Sequence, residues 1–310
     1  MKKQVKLGLV GLAAGMVGVG VSGAALGNHL YDLVIKPPKR ELPPDDVRKP
    51  GRDWLKTHSG RREITIHAVD GLQLHACVLY AVPDRHDWVV CIHGYGETGD
   101  WAGHFAHHHT EQGRNVLIPD LRGHGLSEGD YVGFGWDDRL DIVAWCAWIT
   151  RRDPQARIVL HGVSMGAATA LMTAGGPLSE NVKGIISDCA YTNASAILRH
   201  IYQRHLNGNY GPATAALGAL RSAVRRRAKY DLRKADAVAA VRVSKTPTLF
   251  IHGVADDLVP ASMMAELYEN ARCPKEFLWV PKAGHARSDL VNPELYWNTV
   301  EDWLNRLLEE

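Results

Sequence analysis

The 310-residue chain is 45% hydrophobic and 23% charged, with a formal net charge of +2, the make-up of one large or two small globular domains. This composition excludes disorder, collagen and coiled coil for most of the chain, and so small a net charge gives no case for nucleic-acid binding. The five cysteines (Cys77, Cys91, Cys146, Cys189 and Cys273) are odd in number, widely spaced and free of any CxxC pair, so they read as small buried apolar groups and not as a disulfide framework or zinc site.

Residues 1–40 stand apart, with six basic residues against Asp32 alone, a charge of +5 that leaves −3 for the remainder. The 21 residues from Leu7 to Gly27 carry no charge; as a helix they would span about 31 Å, the thickness of a bilayer core. The run is long for the apolar region of a cleaved signal peptide. Residues 1–35 are therefore expected to be an uncleaved signal anchor, a single transmembrane helix, with secretion after signal cleavage as the alternative. The lysines flanking the run are nearly balanced, and the short N-terminal tail favours a cytoplasmic N-terminus, a cell-membrane location and an extracytoplasmic main domain. Gly11–Gly15 and Gly23–Gly27 have the GxxxG spacing that lets helices approach closely, although small residues in a marginal helix are the plainer reading. Residues 36–62, with Pro37, Pro38, Pro43, Pro44 and Pro50 among many charges, are expected to form an extended tether.

Residues 63–310 alternate strands and helices. Ile64–Ala68 and Leu72–Tyr80 are β-rich and separated by Asp70-Gly71, a hairpin signal. Further strands are expected at Trp88–Ile92, Asn115–Pro119, Arg157–Leu160, Val182–Ser187, Thr248–Ile251 and Glu276–Val280. Helices are expected near 99–112, 136–150, 165–174, 261–271 and 293–308. Unbroken apolar strands spaced by helices point to an α/β fold with a mostly parallel, eight-stranded sheet covered on both faces and opened by an antiparallel pair. About 55 residues at 191–245 exceed what one crossover helix needs and are expected to form an inserted helical cap. Its run Arg221, Arg225, Arg226, Arg227 and Lys229 reads as a solvated helix face in preference to an anion or lipid contact.

The chemistry centres on Gly162-Val163-Ser164-Met165-Gly166. A G-x-S-x-G pattern is informative only where a strand runs straight into the serine and a helix starts straight after it, so that a strained turn lifts the hydroxyl above the sheet. Arg157–Leu160 and Gly166–Ala170 meet that requirement. The second match, Gly125–Gly129 around Ser127, does not, because loop residues separate it from its strand and no helix follows. A serine of ordinary acidity needs a base, and the base needs an orienting carboxylate, in the chain order Ser, Asp or Glu, His. Of the downstream histidines, His200 and His205 fall in the expected cap and His252 precedes a glycine at a strand end. His285 alone follows the last strand and is the candidate base. The loop after Thr248–Ile251 offers Asp256 and its neighbour Asp257. Asp256 is favoured by its D-x-x-V-P spacing to the next helix, with Asp188 a fallback at another strand end. Backbone N–H groups of Met165 and Tyr95 are the candidate oxyanion donors. His107-His108-His109 lacks the spacing and partners of a metal site, and neither a phosphate loop nor a dinucleotide fingerprint is found.

In order along the chain, His93-Gly94-Tyr95-Gly96, Asp120-Leu121-Arg122-Gly123-His124-Gly125-Leu126-Ser127, the Ser164 turn, the Asp256 loop and Gly284-His285 resemble the α/β-hydrolase superfamily. The D-x-R-G-H-G-x-S loop is typical of its esterase and serine-aminopeptidase-like branches. Asp188-Cys189-Ala190-Tyr191 is similar to a segment of a bacterial group of membrane-anchored or exported hydrolases. The resemblance covers about residues 62–308, and Asp257 departs from it where many relatives carry a neutral residue. It implies a triad of Ser164, Asp256 and His285 beneath a helical cap and is not specific for a substrate; the expected activity is that of a serine hydrolase acting by acyl transfer on small-molecule carboxyl esters or related acyl compounds, with no metal or organic cofactor required. A peptidase, an amidase or an acyltransferase would use the same triad, and a non-catalytic binding protein on this fold is the reading from another class.

Overall fold

A computed structural model describes residues 23–37, 46–82, 84–205 and 210–309. Helices α1 (Gly23–Val34) and α2 (Lys49–Thr57) come first. Strands β1 (Arg62–His67), β2 (Gln73–Leu79) and β3 (Asp87–Ile92) follow, then helix α3 (Gly103–Glu111), β4 (Asn115–Pro119), α4 (Asp138–Arg152), β5 (Arg157–Val163), α5 (Met165–Thr173) and β6 (Val182–Asp188). The remaining elements are α6 (Ala194–His205), α7 (Tyr210–Arg227), α8 (Ala237–Val241), β7 (Thr248–Gly253), α9 (Ala261–Asn270), β8 (Lys275–Val280), α10 (Ser288–Val291) and α11 (Pro293–Glu309).

The strands form one eight-stranded sheet in the order β1-β2-β4-β3-β5-β6-β7-β8. The expected antiparallel opening is present, since β1 pairs β2 and β2 pairs β4 antiparallel, and every later pairing is parallel. Strands β3, β4 and β7 are buried along their whole length, which is why they read as unbroken apolar runs. The pleat divides their side chains between two cores. Val89, Cys91, Val159, Ile186, Leu249 and Ile251 pack with Phe105 of α3 and Tyr296 and Trp303 of α11. Trp88, Val90, Leu160, Ile185 and Phe250 pack on the other face with Trp145 of α4 and Leu171 of α5.

Between β6 and β7 the expected inserted segment holds α6, α7 and α8, closed at its base by a bridge between Asn193 and Asp236. The arginine run lies at the end of α7. Arg225 pairs with Asp231 at 2.6 Å, and Arg227 pairs with Asp32 of α1 at 2.8 Å while its guanidinium sits 3.8 Å over the Tyr31 ring.

The expected transmembrane anchor is corrected. Most of the uncharged run, residues 7–22, lies outside the described residues, as do residues 1–6. Among the described residues no helix is long and apolar enough to cross a membrane. The end of the run instead opens α1, whose Leu30, Tyr31 and Val34 are buried in the core with Leu217, Leu220 and Val224 of α7. The physical reason is that an apolar stripe is satisfied equally by lipid or by a neighbouring helix, and composition does not separate the two. Beyond α1, Val132 N–H donates to Ile35 O at 2.7 Å and the Tyr95 hydroxyl donates to Val34 O at 2.9 Å, so the segment is stitched onto the domain. Residues 46–57, expected as part of an extended tether, likewise fold. Helix α2 buries Leu55 completely, and Arg48 just before it donates to the carbonyl of Ala286. Residues 38–45 of that tether lie outside the described residues.

The α1–α7 contact depends on one missing side chain. A Cβ at Gly27 would stand 2.4 Å from the Ala219 carbonyl oxygen, well inside contact distance. Gly27→Val is expected to destabilise the protein by roughly 1–3 kcal/mol through overpacking and to open residues 23–36 to protease. Denaturant unfolding and limited proteolysis measure the two effects.

Candidate active site

Strand β5 runs directly into Ser164, and α5 begins at the next residue. Ser164 has φ 55° and ψ −114°, a strained conformation for a residue with a side chain. The flanking glycines make the turn possible. A Cβ at Gly162 would lie 2.3 Å from Gly166 O, and one at Gly166 would lie 2.2 Å from Ile92 O. Helix and sheet therefore touch backbone to backbone, and the serine is squeezed to the rim. Its own N–H is fixed by Asp188 O at 2.8 Å.

Three side chains far apart in sequence meet there. His285 Nε2 is 2.8 Å from Ser164 Oγ, and His285 Nδ1 is 2.8 Å from Asp256 Oδ2. A carboxylate only accepts, so Nδ1 carries the ring proton and Nε2 is left to accept from the serine hydroxyl. Asp256 Oδ1 accepts from the N–H groups of Leu258 and Val259, each at 2.9 Å. Burial alone would raise the pKa of this carboxyl. Hydrogen bonds from His252 and His285, the charge of His285 and the Val259 N–H outweigh burial and hold it well below the usual carboxylate range. Its neighbour Asp257 points outward and pairs with Arg204 of α6 at 3.0 Å, with its side chain 77% exposed. Asp256, not Asp257, therefore reaches His285.

The fallback acid Asp188 is fully buried at the end of β6. Burial first, and the Asp289 carboxylate second, push its pKa up to about 7. Its sequence neighbour Cys189 has φ 52° and a thiol pushed well upward by burial and by the Asp188 and Asp256 carboxylates. Cys189 Sγ, an Asp256 oxygen and a His285 nitrogen lie within 4.8 Å of one another, the one group of metal-ligand type among the described residues. The thiol keeps its proton at neutral pH, and the other two groups are hydrogen-bonded to each other, so this donor set does not suit a metal ion.

The expected oxyanion donors flank the serine. Met165 is the first residue of α5, at the helix end whose free N–H groups favour negative charge. The loop bearing Tyr95 passes beside Ser164, since a Cβ at Gly94 would lie 3.5 Å from Ser164 Cβ. That loop is braced from several sides. Gly94 N–H donates to Glu97 Oε2 at 2.8 Å, Gly96 N–H donates to His124 Nε2 at 3.2 Å, and Tyr95 stacks on Phe134 with ring centres 5.7 Å apart.

The loop Asp120–Ser127 supplies part of that bracing through His124 and is itself tightly held. Asp120 accepts from Gly99 N–H at 2.7 Å and Leu126 N–H at 3.0 Å and lies 2.8 Å from His75 Nδ1. Arg122 grips Asp141 with two 2.7 Å bonds and Asp70 with one of 2.8 Å. Ser127, set aside on sequence grounds, donates to Asp120 O at 2.7 Å. His93 likewise accepts from Leu121 N–H at 3.0 Å. His107, His108 and His109 diverge to Glu111, Glu301 and His161 respectively.

Comparison with known proteins agrees with this architecture. A family model described as serine aminopeptidase, S33, matches residues 83–207. The Pyrococcus furiosus esterase Pf2001 superposes with a TM-score of 0.67 at 22% identity, covering 88% of this chain and 99% of the esterase. The chain belongs to the α/β-hydrolase superfamily. Among curated relatives, this α/β-hydrolase is 30% identical over 205 residues to the uncharacterized protein YqkD of Bacillus subtilis, a match that spans 66% of each chain. It is 28% identical over 264 residues to the α/β-hydrolase domain-containing protein WAV2 of Arabidopsis thaliana, covering 80% of each. Superfamily membership and esterase neighbours support a hydrolase.

Two contacts around the site are absent from the reading of the sequence. Arg48, from the expected tether, holds the carbonyl of Ala286 next to the histidine, and nothing local in its sequence marks it. His252 lies 3.3 Å from Asp256 Oδ2; the one available signal was its position four residues before the acid.

Asp188 supplies a pH test. With its folded value at about 7 against an ordinary 3.8, the folded state keeps a proton that the unfolded chain has released. Stability therefore falls as pH rises through that window and levels off above it. Asp188→Asn is expected to be more stable than wild type by a margin that grows across this window. Denaturation midpoints between pH 4 and 8 check it.

Proposed function

We propose that this α/β-hydrolase is a serine hydrolase that cleaves carboxyl esters through an acyl-enzyme. The observation that carries the reading is the unbroken hydrogen-bonded chain Ser164–His285–Asp256, with both links at 2.8 Å. Ser164 Oγ attacks the ester carbonyl as its proton passes to His285 Nε2. Asp256 holds the ring in the required tautomer and balances the imidazolium charge. The oxygen of the tetrahedral intermediate lies against the N–H groups of Met165 and Tyr95. Its collapse expels the alcohol, which takes the proton from His285. The His285 side chain is 18% exposed, so water can approach, lose a proton to the same nitrogen and release the acid.

Esters are favoured as substrates because the superposed Pyrococcus furiosus protein is described as an esterase. The serine aminopeptidase description of the matching family model favours a second reading, in which the same serine attacks an amide bond and the leaving amine takes the proton from His285.

Wild-type protein is expected to turn over p-nitrophenyl acetate or butyrate and to be labelled by a fluorophosphonate probe. Ser164→Ala is expected to abolish labelling and to lower kcat by on the order of 10⁴-fold. Labelling that survives the substitution unchanged would refute the assignment. Aminoacyl p-nitroanilides, assayed alongside the esters, decide between ester and amide.

A further inference from the structure

The Asp256 carboxylate has a second histidine. His252, at the end of β7, is fully buried, and its Nε2 lies 3.0 Å from Val259 O. A carbonyl oxygen only accepts, so Nε2 carries the proton. The same Nε2–H stands 3.3 Å from Asp256 Oδ2, the oxygen that also receives His285 Nδ1–H at 2.8 Å. One carboxylate oxygen is thus shared by two imidazole donors, while the other takes two backbone N–H groups. The Asp256 side chain is itself wholly shielded from water, where such contacts act with little screening.

We propose that His252 is a positioning residue for the reaction. It anchors the Asp256 loop through Val259 and, through its longer contact to Oδ2, limits how much negative charge that oxygen can offer to His285. The inference rests on the reading of Ser164, His285 and Asp256 as the reacting triad.

The geometry supports two consequences. The first is mechanical. Val259 closes the turn that begins at Gly253, and Asp256 lies midway along it. A tie from the strand end to Val259 O therefore fixes where the carboxylate stands relative to His285. The second is electronic. A donor removed from Oδ2 leaves that oxygen a stronger acceptor toward its remaining ring partner, so the His285–Asp256 bond tightens while the loop that carries it loosens. Other groups near the pair are Asp188 and Cys189 at the end of β6 and His200 of α6, each of which feels the charge of His252 or Asp256. Trp279 of β8 lies beside the His252 ring at 6.0 Å between centres. None of these takes the place of a donor to Val259 O.

The experiment compares His252→Met and His252→Gln with wild type. Gln carries two amide hydrogens near the position of Nε2 and can serve both Val259 O and Asp256 Oδ2; Met fills similar volume without a donor. With p-nitrophenyl acetate, Met is expected to lower kcat roughly tenfold with KM changed less than about twofold, and Gln is expected to restore most of the loss. In proton NMR, the low-field His285 Nδ1–H resonance is expected to move further downfield in the Met variant and to return toward its wild-type position with Gln. Should the Met variant fail to fold, His252→Leu replaces it as the donor-free variant, with the same losses expected against Gln. Equal kinetics for Met and Gln, or a resonance that stays in place or moves upfield with Met, would overturn it. The resonance is read without turnover. A wild type that neither labels nor hydrolyses esters, yet shows the expected spectral shifts, would sink the functional reading and leave the positioning role of His252 standing.

Discussion

A full negative charge buried at the edge of the sheet is the constraint around which the rest of the site is built. A carboxylate out of water is costly unless hydrogen-bond donors replace the solvent it has lost. Asp256 meets four of them, two from the backbone of its own loop and two from histidine rings. That requirement dictates the loop after β7, because the turn must bring the N–H groups of Leu258 and Val259 back onto Oδ1. It dictates the orientation of His285 as well, because a ring that must give Nδ1–H to Oδ2 presents Nε2 to Ser164. Ser164, His285 and Asp256 are aligned by the need to satisfy one buried charge.

The polar residues that surround the reacting groups serve the same end at longer range. Asp120, Arg122 and His124 tie the ends of β3 and β4 to the hairpin and to α4. Their bonds leave the Tyr95 loop little freedom beside the serine, as the oxyanion role proposed for it requires. The N-terminal segment joins this scaffold. Helix α1 lends a carbonyl to the Tyr95 hydroxyl, and Arg48 lends its guanidinium to the loop that carries His285. Segments that look like appendages in the sequence are thus part of the wall around the site.

Much of this was legible beforehand. The alternation of apolar runs and helices announced the parallel sheet, Asp70-Gly71 announced its antiparallel opening, and the direct passage from Arg157–Leu160 into Ser164 and the alanine-rich helix separated that serine from Ser127. Each signal is local, written in residues a few positions apart that share one element. The choice between Asp256 and Asp257 was legible only as spacing; it becomes a matter of direction once α6 brings Arg204 to draw Asp257 outward. The uncharged run at the N-terminus was misread where it enters α1, because lipid and a packed helix reward the same side chains.

What the sequence by itself determined is the set of elements and the identity of the groups able to do chemistry, since backbone geometry and hydrophobic periodicity act over neighbouring residues. What only the tertiary structure decided is which of those groups stand within hydrogen-bond reach of one another: His285 with Ser164, His252 with Asp256, Arg48 with the histidine loop, Gly27 against α7. Such pairings depend on where chain segments up to hundreds of residues apart come to lie. No local pattern encodes them, because a hydrogen bond is sensitive to tenths of an ångström and periodicity only to which face a residue occupies.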